Sequence, residues 1–431
     1  VWGVTRHLRC SRRAGYRHKN VILTTYTAFA SSGACGRVMS NTQQLKKTDE
    51  AGDAFRLRAS LMAESPAMPS LRSESPGVIQ SCNCRLGLIV GPGQHKREDG
   101  STRYDLSVID LDHEEFFSLA LIPMGFFGHG VVPDPARPER VSVFEKWGSG
   151  ACEIDLTAGE VVRPITTAAD RQFYGHGAYS PDGGMLYNTE TITSGDYKGV
   201  IAVRDAVTHD YLGDMPSFGS SPHDCHLIDD GKTMVVTNGG GPHGGAEPCV
   251  CYVDVKAEKL LEKLTFDTAD INAGHMARTA NGDLAIVSAQ RQGMDPRASV
   301  GGVSLKPAGG QLSTMAQPCE VVSRLTSESL SVCVHDEREM VAATTPLGNL
   351  LTLWDLPTGR LLRYYEVDNP RGVALTRDGS CFIVSYGADV AKISLLDVAT
   401  LGKVKDYDMH WTGMTGSHVI SYSLPAGLRN G

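Results

Sequence analysis

No stretch of this 431-residue chain approaches the roughly 18 uninterrupted apolar residues that a membrane-spanning helix needs, so no span is expected. A basic stripe is also lacking. The 41 Lys and Arg stand against 49 Asp and Glu, and the formal net charge of −8 is spread along the sequence. Without clustered cations to displace counterions from phosphates, nucleic acid is not an expected partner. There is no Gly-x-Ser-x-Gly elbow, no phosphate loop and no dinucleotide fingerprint, which removes the commonest hydrolase and nucleotide-binding classes. The glycine-rich stretches "GPGQHKREDG" and "NGGGPHGG" open no helical pattern and read as loops between strands. The 11 cysteines follow no regular framework, and their odd number leaves at least one thiol unpaired within the chain. They assign no redox compartment.

What is present points to strands. With 47 glycines, 21 prolines and 41% hydrophobic residues, the composition favours many short elements joined by turns, hence an all-β fold. The N-terminal segment is distinct. "VWGVTRHLRCSRRAGYRHKN" carries Arg6, Arg9, Arg12, Arg13, Arg17 and Lys19 with no acid and leads into the mildly apolar "VILTTYTAFASSGACG", the shape of a targeting segment. Arg12-Arg13 before an apolar run matches a twin-arginine export signal, and the absence of acids matches an organellar transit peptide. With the first methionine at Met39, residues 1–38 read equally as translated leader. The location is therefore exported, periplasmic or organellar on the first two readings, and cytoplasmic if translation starts at Met39. Residues 40–80 are polar and aperiodic, as in a disordered linker. Residues 1–80 are thus expected to be a targeting or leader segment plus a linker, and residues 81–431 the folded body.

From Cys84 onward the chain repeats. Aligned on histidine, "GHGVVPDPARPERVSVF" from Gly128, "GHGAYSPDGGMLYNTE" from Gly175, "PHDCHLIDDGKTMVVTNGG" from Pro222 and "GHMARTANGDLAIVSAQ" from Gly274 each read as strand, tight turn and strand, as does "RGVALTRDGSCFIVSYG" from Arg371. Asp182-Gly183, Asp230-Gly231, Asn281-Gly282 and Asp378-Gly379 supply the positive φ of two-residue hairpin turns. A third strand follows and ends in Asp112, Asp155, Asp205, Asp254, Asp355 or Asp397, and an edge strand comes next. The histidines recur at intervals of 47, 47 and 52 residues (His129, His176, His223, His275), the length of a four-stranded propeller blade. Seven blades are predicted, near residues 85–122, 126–167, 173–216, 221–268, 273–325, 328–368 and 371–409. The first has no inner strand of its own. The tail "GSHVISYSLP" is expected to supply it, which makes the fold a seven-bladed β-propeller closed by pairing of the C-terminal strand with the first blade.

The inner strand of each blade lines the central channel, so residues at matching positions form a ring around one axis. His129, His176, His223 and His275 are such residues, and His418 holds the matching position on the closing strand. The two remaining blades offer "TSES" around Ser327, and Arg371. A single histidine of this kind more often makes a structural hydrogen bond, but hydrogen bonding alone has no reason to choose imidazole five times at one phase of a repeat. The five are therefore candidate ligands of one transition metal; nitrogen-only sites suit Fe(II), Cu(II) or Zn(II), with iron or copper favoured over zinc. In "HDCH", residues 223–226, His223 is the ligand and Asp224 a residue that orients histidines, a part that Glu190 is also placed to play.

The stretches "RQFYGHGAYSPDGGMLYNTE", "GVIAVRDA" and "SSPHDCHLIDDGKTMVVTNGG", with the order of the Gly-His units, resemble a family of mostly bacterial propellers known as a domain of unknown function. Its members are often exported by the twin-arginine route and encoded beside imelysin-type iron-uptake proteins. The resemblance covers residues 85–424 and is strongest over 171–241. It implies a propeller in an iron-handling setting. The chain departs from the pattern at Phe127, where the family has arginine, at Gly274, where it has Arg before His, and after "NGG" at residues 238–240, where a longer family insertion is absent. Contacts made by that insertion therefore do not carry over. More loosely, the architecture is similar to that of carotenoid-cleavage oxygenases, which hold iron with four histidines, and of nitrous-oxide reductase, which holds copper with a histidine ring.

Three functions are open on this reading. They are a metal-binding propeller in iron handling, a metal-dependent oxidoreductase using the same histidines, and a scaffold with structural histidines that binds a protein partner on a propeller face.

Overall fold

The computed structural model describes residues 55–56, 86–112, 119–193, 198–295 and 297–422. The chain divides into residues Val1–Gly52, which lie outside the described residues, and a unit from Asp53 to Gly431. The targeting segment and most of the linker therefore lie outside the described residues. Within the linker, Phe55–Arg56 forms a two-residue strand against Leu361–Val367. Among the described residues the fold is all-β, with one four-residue α-helix, Cys319–Val322, and a single 3-10 turn, Asp336–Arg338. No helix is long and apolar enough to cross a membrane.

The strands are arranged as a propeller, but not as seven separate blades. Five stand as sheets of their own. Three of them have the inner strands Pro222–Ile228, Met276–Arg278 and Val373–Leu375, each followed by three strands in antiparallel order. The fourth starts at Val332–His335 and carries Phe55–Arg56 at its outer edge. In the fifth, Leu88–Lys96, Thr102–Asp110 and Leu119–Met124 are joined by Ile420–Tyr422, which pairs with Leu88–Lys96 in the register Leu88↔Tyr422, Ile89↔Ser421, Val90↔Ile420.

The segments read as blades at 126–167 and 173–216 are one eight-stranded sheet instead, which corrects the count of seven to five separate blades. Strand Arg140–Gly148 is nine residues long and overshoots its five-residue partner Ala151–Asp155. Its end pairs with the inner strand Arg171–Tyr179 as Lys146↔Tyr174 and Gly148↔Phe173, with an irregularity between the two. The overshoot is held by a tight loop. Glu145 N–H donates to Gly150 O at 2.8 Å, and its carboxylate accepts from Gly150 N–H at 2.9 Å. Trp147 sits in the left-handed region at φ 67°, unusual for so bulky a side chain.

Apolar clusters fill the spaces between neighbouring sheets. Ile89 and Ile109 pack with Ile383, Ile393 and Val419, so the first and last sheets share a core. Phe144 and Phe173, with ring centroids 5.5 Å apart, fasten the two halves of the merged sheet. The recurrent aspartates after the third strands cap turns. Asp155 accepts from the N–H groups of Thr157 and Ala158, Asp205 from those of Val207 and Thr208, and Asp397 from that of Thr400. This side-chain mimicry of a backbone turn needs aspartate or asparagine, which accounts for the repeat without any chemistry. The hairpin loops are longer than the two residues expected. Tyr179 pairs with Leu186, and in the intervening loop Gly183 has positive φ (69°).

Candidate metal centre

His129, His176 and His223 lie on inner strands, His275 stands directly before Met276–Arg278 and His418 two residues before Ile420–Tyr422; small residues let the first two pack closely. Gly175 has φ +106°, and a Cβ there would collide with the His129 ring; a Cβ at Gly130 would meet the Gly175 carbonyl. The Gly-His-Gly device is thus a close-packing requirement between consecutive inner strands. It brings His129 and His176 to a ring-centroid distance of 5.0 Å.

All five sequence-predicted histidines meet at the centre. One nitrogen from each of His129, His176, His275 and His418 falls in a group whose members lie within 4.8 Å of one another. His275 is the hub. Its Nε2 lies 3.0 Å from that of His129, 2.9 Å from that of His418 and 2.7 Å from that of His223. His223 joins the group through this last contact.

The other nitrogens fix the tautomers. His223 Nδ1 faces Tyr174 O at 3.1 Å and His275 Nδ1 faces Leu330 O. A carbonyl only accepts, so both Nδ1 atoms carry the proton, and in the neutral rings both Nε2 atoms present bare lone pairs to each other. His176 Nδ1 lies 3.4 Å from Asp224 Oδ1, and His176 Nε2 is buried without a hydrogen-bond partner.

The rings are held neutral. Burial, reinforced by mutual repulsion and by the Lys146 ammonium, keeps His129, His223, His275 and His418 well below the usual 6.5. Burial brings His176 down to about 4, with Asp224 partly offsetting it. Asp224 is the orienting carboxylate of the centre. Its Oδ1 faces His176 Nδ1 and, at 3.5 Å, His226 Nε2, while Oδ2 accepts from Met276 N–H at 3.0 Å. Although burial alone would raise it, the neighbouring His176 and His226 hold this carboxyl well below the ordinary range.

The ladder irregularity between Pro222 and Cys225 breaks the simple alternation of "HDCH". Cys225 turns into the apolar core beside Tyr187 and Met234, where burial pushes its thiol up. Glu190 has a different part from the one expected. It is bound by Arg204 at 2.7 Å and by Asn188 and Thr167, in a buried network within the merged sheet rather than at the histidines.

Lys146 and the cavities on either side of the centre carry no signal in the sequence, whereas Glu328 belongs to the "TSES" stretch expected at the channel. Where the inner strands run on past the histidines, a cavity of about 660 Å³ is lined by His226, Arg278, Asp336 and apolar residues of the inner strands. On the approach side lies a small cavity of about 20 Å³, bordered by Lys146, Tyr174, His223, Asn272, His275 and Glu328. Among the described residues Lys146 has no ion pair within 4.0 Å; its ammonium lies 5.9 Å from the Tyr174 ring centroid.

Sheets arranged around a cluster of inner-strand histidines define the molecule as a β-propeller with a histidine-lined centre. The chain belongs to the DUF1513 family of proteins of unknown function, which it matches over residues 122–414. No curated protein matches it. Among solved structures it is similar to hydrazine synthase of Kuenenia stuttgartiensis, with a TM-score of 0.52 and 14% identity over 78% of this chain and 99% of that one. It is also similar to TolB from Acinetobacter baumannii, with a TM-score of 0.43 and 19% identity over 65% of this chain and 63% of that one. At such identity the first likeness is one of fold alone, and the second carries no argument.

Proposed function

We propose that this protein holds one transition-metal ion at His129, His176, His275 and His418, with His223 as a further ligand through its Nε2. The observation that carries this reading is the 2.7 Å approach of two Nε2 atoms, of His223 and His275, whose Nδ1 protons are both committed to backbone carbonyls. Two bare lone pairs at that separation repel. A shared cation turns the repulsion into coordination, since nitrogens bound to one metal at about 2.0–2.1 Å lie roughly 3 Å apart. A buried His176 Nε2 without a partner supports the same reading, because an unsatisfied buried polar atom costs about 1–3 kcal/mol.

An all-imidazole donor set suits iron or copper, and the resemblance in the Gly-His motifs favours iron handling. Asp224 fixes the His176 ring, as carboxylates behind metal-bound histidines do. The test is the metal content of the purified protein after dialysis against Fe(II) or Cu(II) and then against buffer. About one ion per chain is expected in the wild type, and a small fraction of that in His176→Ala. Equal content in the wild type and this variant would refute the site.

A further inference from the structure

The small cavity beside the histidines has the chemistry of an anion site. It is bordered by two of the histidines, His223 and His275, and by Lys146 and Glu328. Lys146 arrives there because strand Arg140–Gly148 overshoots its blade and pairs with the inner strand at Tyr174. No carboxylate lies within 4.0 Å of its ammonium among the described residues, and Glu328 acts on it only at longer range. Arg371 is nearby as well. Its guanidinium donates to Gly416 O at 3.3 Å and lies in the field of both Glu328 and His418. Two cations thus stand against one carboxylate on this side of the centre.

A divalent metal among neutral imidazoles adds two more positive charges, of which the Asp224 carboxylate beside His176 offsets one. Such an excess in a partly buried site is stabilised by an anion, and the bound ion dominates the local electrostatics. The cavity's volume of about 20 Å³ admits one water-sized group and little more. Gly239, Ala273, Gly274 and Ala289 leave its other walls without bulky side chains.

We propose that the metal takes a small monovalent anion, of the hydroxide or fluoride kind, as an exchangeable ligand in this cavity, with Lys146 balancing its charge and Glu328 opposing it. The inference rests on the metal reading above. It makes Lys146 a positioning residue for the exchangeable ligand rather than a metal ligand.

The probe is fluoride, titrated into Cu(II)-loaded protein and followed by the electron paramagnetic resonance spectrum of the copper, with copper content measured on the same samples. In Lys146→Met the copper content is expected to stay at the wild-type level while fluoride affinity falls at least about tenfold, a modest share of the attraction between unit charges near a protein surface. Lys146→Arg is expected to keep most of the affinity. Glu328→Gln, an independent variant, is expected to raise it severalfold. Unchanged fluoride affinity in Lys146→Met with full copper content overturns the anion site and leaves the metal reading intact, as does failure of fluoride to bind the copper-loaded wild type. Absence of copper from the wild type overturns the metal reading and this inference with it.

Discussion

The Nε2 atoms of His223 and His275 face each other at 2.7 Å while the Nδ1 of each ring points at a backbone carbonyl, Tyr174 O for the one and Leu330 O for the other. Tyr174 lies in the merged sheet and Leu330 two residues before the strand Val332–His335, so each carbonyl comes from a neighbour of the unit that carries the histidine. The centre is therefore fixed by neighbouring sheets rather than by any one of them, and it responds to changes in the ring as a whole.

His275→Ala removes the hub and is expected to reduce bound metal to below about a tenth of the wild-type content. His410→Ala, on an exposed side chain away from the centre, is expected to leave it unchanged. Atomic absorption on the two variants checks this. Equal losses would mean that metal is held elsewhere.

Asp224→Asn keeps the shape of the side chain and removes the charge that faces His176 and His226. Metal affinity is expected to fall about 10- to 100-fold, the usual effect of losing an orienting carboxylate. Competition with a chelator of known affinity measures it. An unchanged affinity would reduce Asp224 to a structural acceptor for Met276 N–H.

The metal-free protein is expected to be acid-labile over a defined window. Burial holds His176 at about 4 and the other four rings well below 6.5. Unfolded histidines titrate near about 6.5, so as pH falls below that value the unfolded chain takes up protons that the native rings refuse. Stability is therefore full above about pH 6.5 and falls as pH drops below it, down to about 4 for the share of His176, by at most about 1.4 kcal/mol per pH unit for each ring. Urea midpoints at pH 7, 5.5 and 4.5 measure this, and a midpoint flat across the window would contradict neutral buried rings.

Gly175→Ala puts a Cβ against the His129 ring at φ +106°. A loss on the order of 1–3 kcal/mol is expected from backbone strain alone, with weakened metal binding as His129 is displaced. Thermal melts with and without metal separate the two effects. A neutral substitution would show that the two inner strands are less closely packed than described.

Truncation before Thr415 removes both His418 and the strand Ile420–Tyr422. The unpaired edge of Leu88–Lys96 and the lost core contact of Val419 are expected to lower the melting temperature of the whole domain. Differential scanning calorimetry checks it. A truncated chain that melts like the intact one would mean that the terminal strand contributes nothing to the ring.

Much of the centre was legible because the repeat placed histidine at one phase. The strand periodicity, the Asp-Gly turns and the tail that carries His418 were enough to bring five distant residues to one axis. The merging of two blades was not legible. Lys146↔Tyr174 joins residues that no local pattern relates. Lys146 was missed for the same reason, since a lysine between Glu145 and Trp147 carries no signal until the overshooting strand sets it beside the histidines. Glu190 was misassigned because its partner Arg204 lies across a strand pair, where sequence shows proximity but not the side chain that claims the charge.

X-ray absorption on the metal-loaded protein tests the central claim most directly. The account predicts a nearest shell of four to five imidazole nitrogens at about 2.0–2.1 Å, with the multiple-scattering signature of histidine and at most one further light atom, that of the exchangeable anion. A shell containing sulfur, a shell of oxygen without imidazole, or a protein that retains no metal after dialysis would contradict it.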